Sequence, residues 1–412
     1  MSGFDARELT PLLTSRVVVA AAHTRAFKKA AIVMKDVAGQ PVSAKTIERV
    51  VKDVGCELAH RRDADPKAGG LAKIPEDPPD LAVMECDGGR ARTREPGHGP
   101  GVHLSGKGWN ETKNACLIRA LRKTFDHDPQ PDPPECFCDS GHVAKIAQTE
   151  ALSVASPAGN DVSADVDDAE TAPLPLADDW RPKRLVRTVL ASMACSDEFG
   201  RQMAREAKRR RFGEAKAQAF LGDGLPWNWT IWKRHFNAAT PILDFIHALS
   251  YLYAAAKAVH EAPQDGWDQY LVWMTGCWRG EIDQILDELN GWRERLGHPP
   301  DDAPESDPRQ IVDKTTNYLT NNRERMKYPD YRRQGLPVTT AWMESLVKEI
   351  NWRVKGTEMF WNNPEGAEAI LQVRAAALCD DDRLKTHLQT RPGCPFTRRP
   401  KPASLTEEKN KS

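Results

Sequence analysis

Two apolar runs in this chain each give way to an aspartate set among glycines, and that repeated arrangement limits the possible folds more than any other feature. The first is Leu81-Ala82-Val83-Met84, leading into Glu85-Cys86-Asp87-Gly88-Gly89-Arg90. The second is Ala219-Phe220-Leu221, leading into Gly222-Asp223-Gly224-Leu225-Pro226. Short apolar runs bounded by turn residues read as buried strands. Glycine beside the carboxylate lets backbone, metal or phosphate approach, because no Cβ stands in the way. A single such site is equally well a turn that closes a strand. Two in the same setting point to a pair of strand-end carboxylates. A third acid, Glu344, falls in the first turn of a late helix that Thr340 is placed to cap. Met343, Leu346, Val347, Ile350 and Val354 recur along that helix at its 3.6-residue period. Its plainer role is a dipole-favoured acid paired with Lys348 at i+4.

The length of 412 residues allows two or three domains. A formal net charge of −1 conceals a split. Residues 126–179 hold thirteen acids and one lysine, so the rest of the chain is net basic. With its prolines and low hydrophobicity, most of this tract is expected to be a low-complexity insertion or linker, with a short helix around His142 to Leu152. Nine scattered cysteines suit a reducing compartment, and Cys136-x-Cys138 without a second pair is a weak zinc signal. The N-terminus does not resemble a signal peptide and no apolar run is long enough for a membrane span, so a cytoplasmic protein is expected.

Along the chain, residues 1–62 read as helical. A break at Ala38-Gly39-Gln40-Pro41 is followed by a helix that Ser43 caps. Helix, turn, then a helix carrying Lys45, Arg49 and Lys52 matches a helix-turn-helix, or an ordinary helical pair with a solvated basic face. Residues 80–125 and 180–247 read as two parts of one α/β core. Trp180 to Lys216 reads as a basic helix in which Lys208, Arg209, Arg210 and Arg211 are placed for phosphate contact, or for simple solvation. Residues 248–327 are helical, and Trp267, Trp273, Trp278 and Trp292 are expected to form its core rather than stack on bases. Residues 328–382 complete the core, and 383–412 read as a disordered tail. Ile242-Leu243 is either a last strand or a first helical turn.

Two strand carboxylates followed by a helix carboxylate is the layout of RNase H-like phosphoryl-transfer sites. Such chemistry uses two Mg²⁺ ions roughly 3.5–4 Å apart that flank a phosphodiester. Hard cations prefer oxygen ligands, so carboxylates serve where His or Cys do not. The fold expected is therefore α/β: an RNase H-like mixed sheet, interrupted by an all-helical insertion and preceded by a helical, helix-turn-helix-like segment.

At these residues the chain resembles bacterial insertion-sequence transposases of the ISKra type, within the Mutator-like group of DDE transposases. The matching pieces run in order over about residues 80 to 380. They are Asp87-Gly88-Gly89-Arg90, Trp109-Asn110-Glu111-Thr112-Lys113, Gly222-Asp223-Gly224, Ile242-Leu243-Asp244-Phe245-Ile246-His247, Tyr328-Pro329 through Gly335-Leu336-Pro337, Met343-Glu344-Ser345, Lys355-Gly356-Thr357-Glu358-Met359-Phe360-Trp361 and the closing Ala-rich helix. The resemblance implies Asp87, Asp223 and Glu344 as catalytic metal ligands for Mg²⁺, with Mn²⁺ as substitute. It implies Asp244 and His247 as an accessory pair, and double-stranded DNA, both element ends and target, as partner to a homo-oligomer. The sequence departs from the family in two respects. Thr339-Thr340-Ala341-Trp342 precedes the glutamate where relatives carry a Gly-Ser-Gly-like turn, and the zinc-binding N-terminal region of many relatives has no counterpart. The alternatives are a transposase-derived protein that binds DNA without cutting, a helix-turn-helix regulator and, third, an RNase H-like nuclease.

Overall fold

A computed structural model describes residues 9–64, 77–94, 108–154, 180–355 and 360–391. Its centre is a mixed sheet of five strands in the order β3-β2-β1-β4-β5. β1 (Leu81–Arg92) and β2 (Trp109–Leu121) are antiparallel along their whole length, from Leu81 opposite Ala120 to Arg92 opposite Trp109. β3 (Lys183–Ser192) lies antiparallel on the far side of β2. β4 (Ala217–Gly222) runs parallel to β1, and β5 (Thr240–Leu243) parallel to β4. Ile242-Leu243 is thus strand.

Successive side chains on a strand point to opposite faces. On β1, Ala82, Met84 and Cys86 join a cluster with Phe220 of β4. α5 (Ser196–Arg209) and α6 (Pro226–His235) cover that face through Phe199, Met203 and Ile231. Leu81 and Val83 point the other way, into the larger core. That core takes in α1 (Pro11–Ala22), α2 (Phe27–Asp36), α3 (Ala44–Asp63) and α4 (Ser140–Val154). It also takes in α7 (Phe245–Val259), α8 (Pro263–Trp278), α9 (Ile282–Leu296) and α10 (Pro308–Asn322). α11 (Tyr328–Arg333), α12 (Ala341–Val354), α13 (Pro364–Ala377) and α14 (Arg383–Thr390) complete it. The sheet is therefore sandwiched between helices.

Local signals set most helix starts. Ser43 Oγ accepts the Thr46 N–H at 3.1 Å and caps α3. Proline occupies the first turn of α1, α6, α8, α10, α11 and α13, where its missing N–H costs nothing. α3 lies against α13 so closely that a Cβ on Gly55 would sit 2.1 Å from the Ala369 carbonyl oxygen. Trp273 and Trp278 are buried, with Trp267 and Trp292 packed partly buried at the margin, as expected of a helical core.

Four expectations are corrected. The stretch from Trp180 to Lys216 is not one helix but β3, α5 and β4's approach, because Val186, Thr188 and Leu190 alternate with Arg187 and Val189 along an edge strand. β1 does not end at Asp87; pairing with β2 carries it through Gly88-Gly89 to Arg92, and the loss of apolar character marks instead where β4 stops alongside. The first part of the acidic tract is built into the core: Arg332 donates to Asp128 Oδ1 at 2.8 Å, Trp278 Nε1 to Gln130 O at 2.8 Å and Tyr270 Oη to Phe137 O at 3.0 Å. Residues 155–179 lie outside the described residues. Finally, the expected tail begins with α14, held by His387 Nε2 against Glu57 of α3 at 2.9 Å; residues from 392 lie outside the described residues.

Candidate active site

The parallel register of β1 and β4 ends with Glu85 beside Leu221. Two residues beyond that last pair come Asp87, still within β1, and Asp223, one residue past the end of β4. Both carboxylates act on the Cys86 thiol, which burial first, then Asp223 and Asp87, push well above its usual range.

Asp223 is held from three sides. Its Oδ1 accepts the Leu225 N–H at 2.9 Å and the Asn228 side-chain amide. Its backbone oxygen accepts Tyr318 Oη at 2.8 Å, from α10. The turn works because the next residue is glycine: Gly224 has φ +93°, and a Cβ there would come within 2.6 Å of the Tyr318 ring. The Tyr318 ring is stacked on Tyr251 of α7 at 3.8 Å. Asn228 also accepts the Cys86 thiol at 3.4 Å, which links β1 to the Asp223 carboxylate through one side chain.

Glu344 arrives from the other side. α12 packs on β1, and Glu344 lies in its first turn. Its carboxylate acts on Glu85, two residues before Asp87 on the same face of β1. Glu85 is fully buried, and neither carboxyl oxygen has a hydrogen-bond partner. Burial, then the facing Asp244 and Glu344 carboxylates, push its carboxyl well above the usual range. The backbone N–H of Met343 nearby is already given to Thr340 O at 2.8 Å.

Asp244 and His247 sort into different roles. Asp244 is fully buried and caps α7, accepting the Ile246 N–H at 3.1 Å. It also accepts the Thr340 hydroxyl at 2.6 Å and the Thr340 N–H at 3.2 Å. The Thr340 side chain therefore does not cap α12, as the sequence suggested; it ties the start of α12 to Asp244. Thr340 O in turn receives the Glu344 N–H at 3.0 Å, so Asp244 positions the turn that carries Glu344. His247 Nε2 lies 3.8 Å from Asp244 Oδ2.

The expected DNA-contact residues divide. Lys45, Arg49 and Lys52 are exposed along one side of α3. Lys208 is exposed, and Arg211 pairs with Glu214. Arg209 and Arg210 are buried, which removes them as phosphate contacts. Arg209 donates to Arg61 O at 2.9 Å and Ala64 O at 2.8 Å, and Arg210 to Glu206 Oε1 at 2.9 Å. Glu206 also takes Arg383 at 2.6 Å, and Arg210 reaches Asp381. These partners hold the two guanidinium groups inside the fold.

Three residues escaped the sequence reading. Glu85 had a signal, since an acid two positions before Asp87 must share its face of the strand. Asn114 pairs with Asp87 across β1 and β2, and is buried with both amide atoms unpartnered. Tyr318 had none, because it reaches Asp223 from 95 residues away.

Among the described residues no three His, Cys, Asp or Glu side chains are grouped so as to hold a metal ion. Asp87, Asp223 and Glu344 are all carboxylates, the donor type that a hard divalent cation takes. In comparisons with known proteins, no family model matches the chain and no curated protein matches it.

Proposed function

We propose that the chain is a DDE transposase that cuts DNA at the ends of a mobile element and joins them to target DNA. The observation that carries this reading is that Asp87 and Asp223 each lie two residues beyond the last pair of the adjacent parallel β1 and β4, with Glu344 on a helix packed against β1. We read the sheet, with β2 reversed between β1 and β3, as an RNase H-like core, and α7 to α10 between β5 and α12 as its helical insertion. Asp87, Asp223 and Glu344 would hold Mg²⁺ or Mn²⁺, which when bound supplies charge stabilisation at the attacking and leaving oxygens of a phosphodiester.

The protein's own part is positioning. Asn228 and the Leu225 N–H orient the Asp223 carboxylate, and Tyr318 fixes the backbone beneath it. Asp244 sets the first turn of α12 through Thr340. The exposed side of α3 is the surface offered to duplex DNA.

Asp223→Asn tests the reading. It keeps a hydrogen-bonding side chain at the turn and removes the ligand charge. Mg²⁺- or Mn²⁺-dependent nicking of end DNA should fall by at least about two orders of magnitude, the scale on which loss of one transition-state stabiliser acts, while DNA affinity and thermal unfolding hold. Nicking at the wild-type rate would overturn the assignment. A wild-type protein that binds end DNA and never nicks it, with either metal, would favour the binding-only alternative.

A further inference from the structure

From Pro226, three residues after Asp223, runs a groove of about 580 Å³ whose wall includes Trp229, Thr230, Trp232, Lys233, Arg234 and Arg325. Two elements that hold Asp223 also build it. α6 begins three residues after Asp223, and its Asn228 and Ile231 are buried beneath the helix. Pro226, Trp229, Thr230 and Lys233, spaced i, i+3, i+4 and i+7, therefore form its groove-facing stripe. α10 supplies Tyr318 to the Asp223 backbone, and the turn that follows it supplies Arg325.

The chemistry of the groove is specific. The Arg325 guanidinium lies over the Trp229 ring at 4.3 Å. It is locked in that plane by donating to Asn321 O at 2.9 Å and Asn322 Oδ1 at 3.1 Å. The Trp229 indole N–H is buried without a partner, whereas that of Trp232 is satisfied by Ala239 O at 2.9 Å. Lys233 and Arg234 are exposed at the rim, Arg234 also meeting Asp197 at 2.7 Å. A flat, partly dehydrated cation backed by an aromatic ring is a stacking platform for a nucleobase. Two cations at the rim complement a phosphate, and the volume falls within the range of small-ligand sites, about 300–1,000 Å³. A base-paired duplex cannot offer a free base face to such a recess.

We propose that this groove binds an unpaired nucleotide of the DNA strand entering the carboxylate site, its base stacked on Arg325 and its phosphate between Lys233 and Arg234. The proposal rests on the DNA-processing reading above and gives that site a subsite for single-stranded DNA. The strand next to the cut is then held unpaired while the duplex beyond it lies elsewhere on the protein.

The test uses the full chain in EDTA, so that binding is read without turnover. The probes are a short random-sequence duplex, the same duplex with a short unpaired deoxynucleotide flank carrying 2-aminopurine, and the same flank in ribonucleotides. The wild type should bind the deoxy-flanked duplex about tenfold more tightly than the blunt one, the scale of one stacked base, with 2-aminopurine fluorescence quenched. Arg325→Ala should bring that ratio close to one and abolish the quench. Lys233→Ala, at an exposed position where folding is not at issue, should lower the ratio without removing the quench. A ratio unchanged in both variants, or a wild-type ratio of one, overturns the groove while leaving duplex binding intact. Equal preference for the ribonucleotide flank overturns the assignment to DNA. Failure to bind any of the three probes overturns the DNA-processing reading itself.

Discussion

On α3, Lys45, Arg49 and Lys52 stand in solvent on the side turned away from the core, whereas at the end of α5 Arg209 and Arg210 lie buried among acids and carbonyls. Both stretches are basic and both are helical. The difference lies in what reaches them. α5 places Glu206 three and four residues before the two arginines, and the chain returns Asp381 and Arg383 to the same spot. Glu206 is fully buried; burial works against its charge, but the Arg383 and Arg210 guanidinium groups outweigh it and hold the carboxyl down at about 2. α3 instead uses its opposite side for packing, through Val50, Val51, Val54 and Gly55. Exposure of a basic residue is thus set by whether distant acids converge on it, not by how many cations adjoin it.

The sharpest break of this contrast is Glu206→Ala. It strands buried guanidinium groups without their carboxylate, and should cost about 3–5 kcal/mol in urea unfolding. The pH dependence has a definite sign. A carboxyl held below its ordinary value of 4.5 contributes stability that is complete above that pH and is lost as pH falls from 4.5 through about 2. Glu206→Gln should lose that acid-side slope. A cost under about 1 kcal/mol, the scale of surface ion pairs, would put the α5 cluster in the same class as α3.

Gly55→Ala bears on the other member of the pair. In a helix standing free of the core, alanine for glycine stabilises by about 1 kcal/mol. Here the added Cβ would meet the Ala369 backbone oxygen at 2.1 Å. Overpacking of this kind costs about 1–3 kcal/mol, so the variant should melt earlier than wild type. A higher melting temperature would mean that α3 is not docked on α13.

The smallest effect on stability is expected where the two regions are meant to differ in function. Replacing Lys45, Arg49 and Lys52 together by alanine should leave unfolding within about 0.5 kcal/mol. It should flatten the salt dependence of log K for duplex DNA by up to about 0.9 for each phosphate that these side chains neutralise in the wild type. Lys45→Ala or Arg49→Ala alone should reduce preference for end over random sequence. Lys208→Ala with Arg211→Ala should change the slope less. Equal slopes for all three proteins would leave the α3 surface merely solvated.

Much of the architecture was legible because its signals are local. Proline in the first turn, Ser43 as a cap and glycine at Gly224 each act within a few residues. β3 was missed because its first residues, Lys183 and Arg184, are charged, as suits an edge strand, and the partners of Arg187 come from Glu349 and Leu378 O. The ordered start of the acidic tract was missed for the same reason: Asp128 is neutralised by Arg332, which lies 204 residues away. Composition over a window cannot register such a partner.

By itself, then, the sequence determined which residues could serve at the centre: two aspartates placed where apolar strands meet glycine, and a glutamate in the first turn of an amphipathic helix. Those choices follow from strand and helix periodicity, which are properties of neighbouring residues. Tertiary structure alone decided that β1 and β4 are adjacent and parallel, paired up to Glu85 beside Leu221, two residues short of Asp87 and Asp223. It alone joined Asp244 to Thr340, set Glu85 under the influence of the Asp244 and Glu344 carboxylates, and turned Arg209 and Arg210 inward. Register and burial depend on contacts between residues far apart in the chain, and no local pattern encodes them.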